Sequence, residues 1–136
     1  MAKGILWAVP ADAAEADALL RHAPERAFAV VPHAHVTLRF GVKDDAEDVL
    51  ALVGREFVAR LTGVAADEGI QALVFELPGD VPCKNAHPHL TWSHREGVKP
   101  VRSNDLLASG VGRTPLPNTD VRLRVEFSPF QPVAPA

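Results

Sequence analysis

The sequence predicts an α+β protein, an antiparallel sheet with helices packed outside it. Two observations carry this. Helix-forming character is confined to the first half, in Asp12–His22 and in 45–60. The rest divides into short apolar or alternating runs punctuated by Pro and Gly, as strands and turns are. With 136 residues, the chain is expected to form a single domain over 1–136 with a proper core.

Taken in order, "ILWAV" (Ile5–Val9) reads as a buried strand that Pro10 ends. Asp12 is a suitable N-cap for the first helix, where acids lead and Arg21 and His22 close, as the helix dipole favours. Pro24 lies just beyond. "AFAVV" (Ala27–Val31) and "HVTLRF" (His35–Phe40) are strand-like and separated by Pro32. In 45–60, Val49, Leu52, Val53 and Phe57 recur at helical spacing behind the acids Asp44, Asp45, Glu47 and Asp48, with Gly54 weakening the segment. Ile70–Leu77 and His89–Ser93 read as strands. The long connection that follows has room for one helical turn at Asn104–Leu107. In Val121–Phe127, Val121, Leu123, Val125 and Phe127 share one face and Arg122, Arg124 and Glu126 the other, as in a half-buried strand. The tail "PVAPA" is expected to fray.

Composition excludes some functions and leaves others open. A net charge of −3 gives no bulk attraction to nucleic acid, so any nucleotide contact must be local. The lone Cys83 cannot form an internal disulfide, which fits a reducing compartment. The apolar run Gly4–Pro10 is too short for a membrane span or a signal core, so a cytoplasmic protein with no membrane contact is expected. A monomer with no obligate protein partner is a separate expectation. No Gly-rich phosphate loop is present.

The informative pattern is a repeat. "PHAHVTLRF" (Pro32–Phe40) and "HPHLTWS" (His87–Ser93) both contain His-x-His-x-Thr, and together they hold four of the six histidines. On a strand, residues two apart share a face. His35 and Thr37 therefore project together, with Val36 and Leu38 opposite; His89 and Thr91 project together, with Leu90 and Trp92 opposite. If the two strands are neighbours, two imidazoles and two hydroxyls meet in one groove. Two imidazoles supply a general acid and a general base, and two hydroxyls can donate to the oxygens of a phosphate. That set suits phosphodiester cleavage without a metal.

"HVTL" and "HLTW" resemble the paired motifs of the two-histidine (2H) phosphoesterase superfamily, and "EGVKPVRSNDLL" resembles its tRNA-ligase cyclic phosphodiesterase branch. The resemblance implies a compact bilobal fold, with two antiparallel sheets around a central groove and helices outside. It implies hydrolysis of nucleoside or RNA-terminal 2′,3′-cyclic phosphates to a 2′-phosphate, with His89 as base, His35 as acid, Thr37 and Thr91 on the phosphate, and no cofactor. The substrate would be a small nucleotide or an RNA end. The same site would also serve a cyclic oligonucleotide signal or an ADP-ribose cyclic phosphate, and a nucleotide- or RNA-binding module without turnover is the reading from another class.

Other residues have two readings each. Taken singly, His35 and His89 are ordinary strand histidines; the pairing with threonines makes them candidates. His33 and His87 can support the site or ligate a metal, but no companion Cys or carboxylate spacing stands out, so no metal is expected. Trp7 and Phe40 can stack a base or fill the core; Trp92 points to the core. Ser93, Lys99 and Asn104 are possible substrate contacts, against solvated-loop roles for Lys99 and Arg102 and backbone-ordering roles for Ser103 and Asn104. Nothing in the spacing supports Cys83 as a nucleophile.

Overall fold

The computed structural model describes residues 3–85 and 87–130. The elements are β1 (Lys3–Pro10), α1 (Ala13–His22), β2 (Val36–Lys43), α2 (Glu47–Leu52), β3 (Glu56–Ala66), β4 (Ile70–Glu76), β5 (His89–His94), α3 (Arg102–Ala108) and β6 (Thr114–Pro129). The six strands close into one antiparallel barrel in the order β1-β2-β5-β4-β3-β6.

Among the described residues the fold is mostly β with three short helices, which corrects both the expected α+β class and the expected bilobal arrangement of two separate sheets. Two pairings close the ring. β6 is 16 residues long. Its C-terminal part pairs with β1, from Leu123 to Pro129, and its N-terminal part with β3, from Thr114 to Arg124. On the other side β2 meets β5 through one register pair, Val36 opposite Leu90. Period-two alternation then sends one set of side chains from every strand into a common interior. Leu6, Ala8, Val36, Leu38, Ala59, Leu61, Leu73, Phe75, Leu90, Trp92, Leu123 and Val125 form that core. Trp92 is there as its alternation predicts, and its indole N–H donates to the Pro24 carbonyl at 2.9 Å.

The first helix forms as its sequence dictates. Asp12 Oδ1 accepts from Glu15 N at 2.9 Å, and Leu19 is buried. The second does not run to residue 60. It ends at Leu52, Gly54 takes φ +90, and Glu56 begins β3. Ala27–Val31 is not a strand; only Val30 bridges to His94. The side chains of Gln71 and Ser93 take the neighbouring backbone instead, with Ala27 N donating to Gln71 Oε1 and Phe28 N to Ser93 Oγ.

α3 begins two residues earlier than the expected turn and packs on the outer face of the barrel. Leu106 and Leu107 form a second apolar cluster with Ala65, Ile70, Ala72 and Val74. An Arg102–Asp67 ion pair ties its first turn to the β3–β4 loop. Among the described residues no helix is long and apolar enough to cross a membrane. The tail beyond residue 130 lies outside the described residues.

Candidate active site

The Val36–Leu90 pair positions the site. Both side chains are buried in the barrel, so their neighbours along each strand face outward. Continuing the antiparallel register one residue each way sets His35 across from Thr91 and Thr37 across from His89. The two His-x-Thr units are thus related by a local two-fold axis through the Val36–Leu90 pair. All four side chains line one cavity of about 350 Å³, together with Phe40, Asn85, Ser103 and Asn104.

Each imidazole is fixed in the same way. His35 Nδ1 lies 2.8 Å from the His33 carbonyl oxygen, and His89 Nδ1 lies 2.7 Å from that of His87. A carbonyl only accepts, so each Nδ1 carries a proton and donates. Nε2 is left on each ring as the nitrogen able to take or give a proton. The repeated His-x-His is explained by this geometry: residues 33 and 87 serve through their backbone oxygens. Their rings go elsewhere. His33 stacks near Trp7 at 5.3 Å, and His87 Nδ1 accepts from Arg113 Nη2 at 3.2 Å.

Burial pushes both catalytic-motif imidazoles below their ordinary range. For His35 this loss of solvation dominates; the His33 carbonyl opposes it, and positive charge on His33 or His89 would add to it. For His89, which is 8% exposed, burial again dominates, the His87 carbonyl opposes, and charge on His87 adds.

The surroundings break the local symmetry. Beside His35, the Trp7 ring stacks at a centroid distance of 4.2 Å and an interplanar angle of 33°. Trp7 comes from β1, across from Thr37. Its Nε1 is buried and has no hydrogen-bond partner among the described residues. With His33 and His35 against it, Trp7 is a wall behind the first motif, and it does not line the cavity. Beside His89, Ser103 Oγ lies 2.8 Å from Nε2 and 3.0 Å from Thr91 Oγ1. Asn85 Nδ2 donates to Asn104 Oδ1 at 3.0 Å, and Asn85 Oδ1 accepts from His87 N at 3.2 Å, which holds the loop before β5.

The remaining expected residues divide between the groove and elsewhere. Phe40 is 73% exposed at the cavity edge, with its ring 5.1 Å from that of Phe130. Asn104 lines the cavity through the contact just described. Lys99 is exposed and does not line it. Ser93 is fully buried and bonds Gln71 Oε1 at 2.8 Å, outside the cavity. Cys83 sits 3.6 Å from the carbonyl oxygens of Thr37 and Asn85, and burial pushes its thiol up, away from thiolate character. Among the described residues no three His, Cys, Asp or Glu side chains gather at metal-ligand distance. Sequence reasoning passed over Asn85 and assigned Ser103 only to ordering its loop. The bond from Ser103 Oγ to the Pro100 carbonyl at 2.8 Å is of that kind, but the same oxygen also reaches His89.

Comparison with known proteins agrees with the motif reading. Residues 43–125, more than half of the chain, match the family described as fungal tRNA ligase phosphodiesterase domain. The matched span includes His89, Thr91 and Ser103; His35 and Thr37 precede it. No curated protein and no solved structure matches the chain. The chain belongs to the fungal tRNA ligase phosphodiesterase domain family.

Proposed function

We propose that the protein hydrolyses 2′,3′-cyclic phosphates at RNA ends or on nucleosides, leaving a 2′-phosphate. The observation that carries this reading is the facing of the two His-x-Thr units across Val36–Leu90, with Nδ1 of each ring tied to a backbone carbonyl and Nε2 left as the proton-transferring nitrogen. His89 takes a proton from water at Nε2 as the water oxygen bonds to phosphorus. The P–O3′ bond breaks, and His35, entering as imidazolium, gives its Nε2 proton to the departing 3′ oxygen. Thr37 and Thr91 donate to the non-bridging oxygens, where negative charge builds in the transition state. These groups provide the proton transfers and anion contacts that the reaction requires.

The test is product identification. An RNA oligomer ending in a 2′,3′-cyclic phosphate is incubated with the protein in EDTA. The reading expects conversion to a 2′-phosphate end. A 3′-phosphate end would reverse the geometry of attack, and no conversion of this end or of the free nucleoside cyclic phosphates would remove the enzymatic reading.

A further inference from the structure

His89 has one nitrogen available for chemistry, and it is occupied. Nδ1 is committed to the His87 carbonyl. Nε2 is 2.8 Å from Ser103 Oγ. That oxygen is also 3.0 Å from Thr91 Oγ1 and 2.8 Å from the Pro100 carbonyl. The Pro100 carbonyl and a neutral Nε2 only accept, so the one hydroxyl proton serves one of them at a time, while Thr91 Oγ1 can donate to an Oγ lone pair. Ser103 is 1% exposed, on a helix pinned by Leu106, Leu107 and the Arg102–Asp67 pair. Nothing equivalent stands on the first motif: among the described residues no side chain bonds His35 Nε2 or Thr37 Oγ1.

We propose that Ser103 is a positioning residue of the second motif, its hydroxyl oxygen standing where a phosphate oxygen binds and giving way when substrate enters. This rests on the phosphodiesterase reading above. The oxygen touches both groups of the second motif assigned to the phosphate and its attacking water, and among the described residues no other side chain does so. It holds His89 in either protonation state. A neutral ring accepts the serine proton at Nε2. An imidazolium donates to Oγ, and the serine proton turns to the Pro100 carbonyl. Nε2 and Thr91 Oγ1 therefore stay converged on one point. Rotation of a single side-chain bond vacates that point, with no movement of α3.

Such a stand-in lowers affinity, because its hydrogen bonds are lost on binding. Ser103→Ala should therefore bind inorganic phosphate more tightly than the wild type, by about three- to tenfold, the worth of one net hydrogen bond. Ser103→Thr keeps the hydroxyl and should bind as the wild type does. The histidine ring C–H signals of the whole chain report binding in an NMR titration, and the same spectra report folding. Damage to the fold weakens binding, so a gain in Ser103→Ala has no purely structural explanation. Steady-state kinetics give a second readout: KM for a cyclic nucleotide falls in Ser103→Ala. Equal or weaker phosphate binding by a folded Ser103→Ala overturns the Ser103 proposal and leaves the phosphodiesterase reading intact. Absence of phosphate-dependent shifts at His35 and His89 in both proteins overturns both.

Discussion

Val36 lies directly opposite Leu90 in the one register pair that joins β2 to β5. That pair places each threonine beside the other motif's histidine, so the proposed phosphate contacts would be shared between strands. Thr37→Val and Thr91→Val should each cost on the order of 2–4 kcal/mol in kcat/KM, roughly thirty- to a thousandfold, if the hydroxyls act like other oxyanion donors. Thr37 is the cleaner test. Thr91 Oγ1 also reaches Ser103 Oγ and the Pro100 carbonyl, so its loss disturbs the neighbouring turn as well. Full activity in a folded Thr37→Val protein would remove that hydroxyl from the phosphate site.

Trp7 should act on the reaction through His35. An aromatic face within about 6 Å favours a cation, here the imidazolium that burial disfavours. Replacing Trp7 with Leu removes that support and lowers the acidity range of His35 further. The acid must be protonated to work, so the alkaline limb of the pH–rate profile should move down by about half a unit. Trp7→Phe keeps a ring face and should keep the limb in place. An unmoved limb in Trp7→Leu would leave Trp7 a packing residue only.

The two imidazoles also link stability to pH. Both are lowered in the folded state relative to the unfolded chain. Above the ordinary value of about 6.5 both states are neutral and stability is full. As pH falls through that value the unfolded chain takes up protons first, and stability drops until the lower folded values are passed. The slope is at most about 1.4 kcal/mol per pH unit for each histidine. Asp12 and Asp67 have carboxyls held below the ordinary carboxylate range, so their contributions fade only at lower pH. Urea unfolding between pH 5 and 7.5, roughly the window in which imidazoles titrate, should show this loss in the wild type and a flatter curve in His35→Gln/His89→Gln. Parallel curves would mean that neither histidine is buried against charge.

The legible parts of the fold were those written in local pattern. The alternation of Val121–Phe127, the Asp12 cap and the outward pairing of His35 with Thr37 and His89 with Thr91 all follow from spacing. β3 was hidden because Phe57 satisfies helical and strand periods alike, and its later buried residues include the small Ala59 and Ala65. The first half of β6 was hidden by Pro115 and Pro117, which weaken a strand reading. Barrel closure was out of reach for another reason: it depends on which distant strands β6 and β2 pair with, and no local pattern encodes that. Ser103 was missed on the same ground. Its bond to His89 exists only because α3 docks on β3 and β4, and a Ser-Asn dipeptide in a loop carries no sign of that docking. For Trp7 the sequence leaves base stacking and core packing both open, because the His33 and His35 rings beside it are brought there by the fold.

The central claim is that His35 and His89 form one acid–base pair, and turnover of a nucleoside 2′,3′-cyclic phosphate by the two single alanine variants tests it most directly. His35→Ala and His89→Ala should each lose about 10²- to 10⁴-fold in kcat while remaining folded, and each should lose one limb of the bell-shaped pH profile. A folded variant turning over within about tenfold of the wild type, with both limbs intact, would contradict the pairing.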